Sequence, residues 1–176
     1  THVATVRGEF QQLEIAFKTM LGSAGQADVL MTQLVKTAAT TPFGLKDIGQ
    51  AAKQLLAYGV AANDVNSTLI RLGDIAAGLS IPINDLAYLY GTTMVQGRFV
   101  HTRPEPILGG VVFLLWKNSQ KQFGVAENQV KQLVEDGKVG FPEVQKAIEN
   151  LTNEGSKFGG LMEAQSKTIT GQISKH

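Results

Sequence analysis

Three features of this sequence predict an all-α fold of about seven to eight short helices packed as helical hairpins. Apolar residues recur at three- and four-residue steps, as at Phe10, Leu13, Phe17, Met20 and Leu21, which aligns them on one face of a helix. Glycine or proline closes one periodic stretch after another, at Gly22, Pro42, Gly59, Gly78, Gly97 and Gly137. One run alone, Val111-Val112-Phe113-Leu114-Leu115-Trp116, is β-branched and aromatic enough for a strand. It has no second run to pair with, so a sheet has no basis.

The first helix carries the stripe from Phe10 to Leu21 and ends at Gly22 and Gly25. A second covers roughly 26–39, with Leu30, Leu34 and Ala38 in line and Ala27 and Met31 beside them. The Gly22-Ser23-Ala24-Gly25 link is short, which predicts an antiparallel hairpin. Pro42 disfavours helix in the residue before it, so the second helix stops by Thr40. The third carries Leu45, Ile48, Ala52, Leu55 and Leu56, with Gly59 placed to leave it in the left-handed conformation. Asn63 is the expected N-cap of the fourth helix, with Asp64 favourable in its first turn. That helix shows Val65, Leu69, Leu72 and Ala76 and is expected to end at Gly78. Asn84 and Asp85 repeat the capping arrangement, and Leu86, Leu89, Tyr90 and Thr93 carry a fifth helix toward Gly97.

The chain then changes texture. Pro104, Pro106, Gly109 and Gly110 precede the apolar run, and a short irregular or strand-like segment is expected around 107–116. An isolated strand leaves its ladder groups unsatisfied, so this segment fits its surroundings badly. Helical texture resumes at Gln120. Gly124-Val125-Ala126-Glu127-Asn128 echoes Gly59-Val60-Ala61-Ala62-Asn63, which is repeated turn chemistry more than an internal repeat. Val130, Leu133 and Val134 form a short helix ended by Gly137, and Phe141-Pro142-Glu143 opens the next with proline in a tolerated position. Val144, Ala147, Ile148 and Leu151 give its face. The tail from Lys157 to Lys175 sets Leu161, Met162 and Ile169 among polar residues, a weak helix. The organisation expected is a helical region 1–98, an atypical connector 99–119, and a helical hairpin region 120–176 of the same domain.

Composition narrows the function classes. The 176 residues are 43% hydrophobic and 18% charged, values of a folded chain. With 16 basic and 15 acidic residues, nothing calls for nucleic acid or anionic lipid, and the basic residues are scattered singly. The absence of cysteine excludes disulfides, thiolate nucleophiles and cysteine metal sites. The longest apolar run, Ile107 to Trp116, is 10 residues, against about 20 for a membrane span. An opening Thr1-His2 with no leader before Val3 suggests an excised or processed fragment.

Candidate chemistry is sparse. His2, His101 and His176 lie at unrelated places without metal-motif spacing. Asp47, Asp64, Asp74 and Asp85 are each expected near a helix start or on a polar face, where dipole and capping explain them. No phosphate loop and no nucleophile elbow is present among the 19 glycines. No catalytic, cofactor-binding or metal-binding residue is therefore assigned, and no cofactor is expected. Tyr58, Tyr88 and Tyr90 are the candidate interface residues, since tyrosine is enriched in such patches. The competing reading is half-buried core with the hydroxyl at the surface.

The order of segments resembles a known family. Thr41-Pro42-Phe43, Gln54-Leu55-Leu56-Ala57-Tyr58-Gly59-Val60, Leu72-Gly73-Asp74-Ile75-Ala76-Ala77-Gly78-Leu79 and Gln96-Gly97-Arg98 resemble the amino-terminal domain of tail tape measure proteins of bacteriophages and prophages. So do Phe123-Gly124-Val125, Val134-Glu135-Asp136-Gly137-Lys138-Val139-Gly140-Phe141, Glu154-Gly155-Ser156-Lys157-Phe158-Gly159-Gly160-Leu161-Met162, Gln165-Ser166 and Thr170-Gly171-Gln172. Each motif alone is helix-end chemistry; the ordered set carries the likeness. The resemblance implies a structural, non-enzymatic role in tail length determination and assembly. It also implies contacts with tail-tube proteins and tail assembly chaperones, with self-association a further option. The implied location is the virion tail, with the host cytoplasm during assembly. Alternatives of other classes are a cell-wall-degrading module of a tail protein and a stand-alone helical adaptor. Residues 99–119 depart from the family pattern, and a frame shift there accounts for it. Codons for His101 to Ile107, read one base later, can give Ile-Gln-Asp-Leu-Asn-Gln-Phe, and those for Trp116 to Gln120, read two bases later, Glu-Glu-Leu-Ala. Both products look like the family pattern.

Overall fold

The computed structural model describes residues 2–98, 114–115, 117–118 and 121–174, and every regular element among them is a helix. The helices whose bounds are described are α1 (His2–Leu21), α2 (Ala24–Ala39), α3 (Leu45–Tyr58), α4 (Ala62–Leu79), α5 (Ile83–Gln96), α6 (Glu127–Glu135), α7 (Phe141–Thr152) and α8 (Leu161–Ser174), and residues 121–123 are helical as well. The fold is all-α, as the periodicity predicts. Of the run around 107–116, only Leu114 and Leu115 are described, and both are helical. For those two the strand-like expectation is corrected: a helix satisfies its own backbone groups, which an unpaired strand cannot do. The rest of that run lies outside the described residues.

Helix α4 is the hub. It packs against α2, α3, α5, α7 and α8, and Leu72 to Ala77 are six consecutive buried residues. A helix apolar on one face only cannot be buried all round; here Gly73, Ala76 and Ala77 let neighbours approach from several sides. The core joins Phe17 of α1, Leu30 and Leu34 of α2, Leu55 of α3 and Leu69 and Ile75 of α4 to Val144 and Ile148 of α7. Backbone pairing of strand type among the described residues is one antiparallel bridge, Arg98 to Gly140. There the Phe141 N–H donates to the Gly97 carbonyl at 3.1 Å, tying the end of α5 to the start of α7.

Helix ends follow local chemistry, with three corrections. Gly59 and Gly97 leave α3 and α5 at φ 109° and 76°, the left-handed region where glycine carries no side-chain cost. Asn63 and Asn84 are not N-caps. Ala61 and Pro82 occupy those positions with no side-chain cap, and their carbonyls accept from the Asp64 and Asp85 N–H groups at 2.9 and 3.2 Å. The extended backbone of Ala61 and Pro82 starts each helix two residues earlier than the asparagines suggest. Likewise α4 does not end at Gly78. It runs through Leu79 to Ser80, which takes φ 56° while the Ile81 N–H closes on the Ala76 carbonyl at 3.0 Å. The echo between 59–63 and 124–128 is turn chemistry in fact: each glycine has positive φ and Ala61 and Ala126 are both extended N-caps.

Candidate functional site

The most constructed feature of the molecule is the seam between α4 and α8. Gly73, Asp74, Ala77 and Gly78 lie one turn apart in pairs, so they share a strip of α4 almost free of side chains. A methyl group at Gly73 would overlap the Met162 sulfur, and one at Gly78 would overlap the Phe158 ring. Those two large side chains therefore sit where Cβ atoms would otherwise be. Asp74 is 3% exposed, so its expected place at a helix start or on a polar face is corrected: it stands inside α4 and caps another helix. Its Oδ1 accepts from the Met162 N–H at 3.0 Å and its Oδ2 from the Gly160 N–H at 3.2 Å, satisfying amides that the first turn of α8 leaves without partners. Burial pushes the carboxyl above its ordinary range, against the pull of those two N–H donors and of Arg71. Gln165 Nε2 donates to the Ala77 carbonyl at 3.2 Å and completes the seam. Its signal in the sequence is a lone acid flanked by glycines inside an apolar helix.

The three tyrosines do not form one patch. Tyr58 and Tyr88 meet edge to face, with ring centroids 6.5 Å apart. Tyr58 is half-buried, its ring lying where a side chain on Gly91 would be, and Tyr88 is 38% exposed. Tyr90, two residues along α5, points the other way. It is 7% exposed, stacks edge to face on Phe141 at 5.1 Å and accepts from Gln145 Nε2 at 3.1 Å. Val95, 65% exposed and two turns on from Tyr88, extends the outer apolar face of α5.

A groove of about 580 Å³ separates α4, α5 and α7, lined in part by Asp64, Thr68, Arg71, Tyr90, Gln145 and Glu149. Arg71 Nη1 donates across it to Thr152 Oγ1 and Asn153 Oδ1, both at 3.0 Å. Its visible partners are neutral oxygens that tie α4 to the end of α7. Among the described residues no three His, Asp or Glu side chains gather as a metal set, and no helix is long and apolar enough to cross a membrane. Of the histidines, His101 and His176 lie outside the described residues. Asp47, Asp64 and Asp85 stand in the first turns of three different helices.

Glycine seats, a cap supplied from a distant helix and an aromatic outer face define a helical packing protein. The family follows from comparison: the tape measure protein model matches residues 1–175, and the chain belongs to that family. It is a structural family of the phage tail, which places the protein in the virion tail. Comparison with curated proteins and with solved structures returns no match.

Proposed function

We propose that this chain is the folded, contact-making part of a tape measure protein that determines tail length. The observation that carries the reading is the family match over residues 1–175. In this reading the length standard is extended helical sequence elsewhere in the parent protein, which converts residue count to distance at ~1.5 Å per residue. Residues 1–98 and 120–176 act together as a terminal domain joined through 99–119. Its role is assembly without catalysis, carried out in the host cytoplasm before the protein lies in the tail. The partners are tail-tube proteins and tail assembly chaperones. The contact surface is the Tyr58–Tyr88 face continued by Val95, since a half-exposed aromatic pair gives contact area at low entropic cost.

A phage bearing Tyr88→Glu tests both halves of this reading. We expect fewer assembled tails, of unchanged length by electron microscopy, because Tyr88 is at the surface and its loss leaves the core intact. Wild-type tail yield would remove the tyrosine face from the proposal. Tails of altered length would place the length standard in this domain.

A further inference from the structure

We propose that α8 is a releasable strap, which opens and closes on α4 as a unit while α1 to α5 stay folded, with Asp74 as its latch.

The strap is attached on one side. Among the described elements its substantial packing is on α4. Along Leu161 to Thr168, Met162 and Ser166 are buried and Leu161 and Gln165 half-buried. Glu163, Ala164, Lys167 and Thr168 face solvent. Among its residues of described burial, α8 has one buried large apolar side chain, Met162, whereas α3 buries Ile48 and Leu55 and α5 buries Ile83, Leu86 and Tyr90. The approach to α8 contains two residues suited to pivoting, Gly155 and Gly160, at φ 78° and 74°. A Cβ at either glycine would meet open space.

The latch is polar where most helix docking is apolar. Opening breaks the two N–H bonds from Gly160 and Met162, but it also returns a buried carboxylate to water. Rehydration offsets part of the lost contact, so undocking costs less than pulling apart an apolar seam of the same size. The ionisable groups acting on Asp74 are Arg71 on its own helix and Glu163 on α8, one attractive and one repulsive. Beside Asp74 the seat consists of Gly73, Ala77 and Gly78, so it has no large side chain of its own to reorganise. Elements with few buried apolar contacts populate open states well below the cost of global unfolding.

Native-state hydrogen exchange on the chain, at a series of low denaturant concentrations, tests this. The Met162 to Thr168 amides are expected to exchange through an opening at least roughly 10-fold more frequent than that of Leu55 and Leu69, with a weaker dependence on denaturant. In Asp74→Ala the α8 amides should lose protection by about 10-fold or more, the effect of removing hydrogen bonds to a charged group. Leu55 and Leu69 should remain the slowest to exchange. Identical rates and denaturant dependence for α8 and the core in the wild-type chain would overturn the strap. An Asp74→Ala chain with wild-type α8 exchange would overturn the latch. A variant that failed to fold would count against both, because a strap without its latch leaves α1 to α5 folded.

Discussion

Asp74 is where burial and charge conflict most directly. Its carboxyl is held above the ordinary range by burial, so the folded chain binds that proton more tightly than the unfolded chain does. The stability this contributes is fully present below the unfolded carboxyl's pKa, about 4, and is lost as pH rises through the higher folded value. The asparagine variant has no such proton. It also turns an amide donor toward one of the two N–H groups, at a cost of about 1–3 kcal/mol. Urea denaturation of wild type and Asp74→Asn across a pH series should show the wild-type advantage shrinking from about pH 4 upward. An advantage that grew with pH would mean that the two N–H bonds outweigh burial. Ser80 is a second residue under stress, held at φ 56° and exposed at the end of α4. Ser80→Gly should raise stability by about 0.5–1 kcal/mol, read as a later urea midpoint at unchanged slope.

The crossing of α3 and α5 depends on an absent side chain. Gly91 leaves the space that the Tyr58 ring fills, and a methyl there would overlap the ring at its base as well as its edge. The tip of a long side chain can swing aside; a ring blocked at Cγ must leave its rotamer altogether. Alanine would gain about 1 kcal/mol of helix propensity and lose about 1–3 kcal/mol to overpacking. Gly91→Ala is therefore expected to lower stability by about 1 kcal/mol and to change the near-ultraviolet signal of the Tyr58–Tyr88 pair. Gain of stability would show that the ring relocates freely. The same logic explains why Gly78, which looks like a stop signal, lies inside α4: it is needed for its empty side facing Phe158 and Leu161.

At the scale of the whole molecule, the chain that leaves α5 at Gly97 is paired again at Phe141, and residues on both sides of the intervening segment share one core. The family match spans residues 99–119, the segment that the sequence reading expects to be atypical. Resequencing the gene across this window on independent reads tests the frame-shift account. A corrected frame giving the Gln-Asp-Leu pattern is the outcome expected of a sequencing error. An unbroken frame would rule that error out and leave natural indels as the source. Either way the seam on α4 stands, since both of its sides, 72–79 and 158–165, lie outside the window.

How much was legible in the chain follows from the range of each interaction. The all-α class, the exits at Gly59 and Gly97 and the turn chemistry shared by 59–63 and 124–128 were determined by the sequence alone. Each depends on neighbours within a few residues, through the 3.6-residue period and the left-handed freedom of glycine. The asparagines misled because an extended alanine or proline can start a helix without a side-chain cap. The tertiary structure alone decided that Tyr58 and Tyr88 pair while Tyr90 turns inward, that Gly73 and Gly78 are seats, and that Asp74 caps a helix 86 and 88 residues away. Those roles depend on which helix face meets which, and no local pattern encodes the identity of a distant partner.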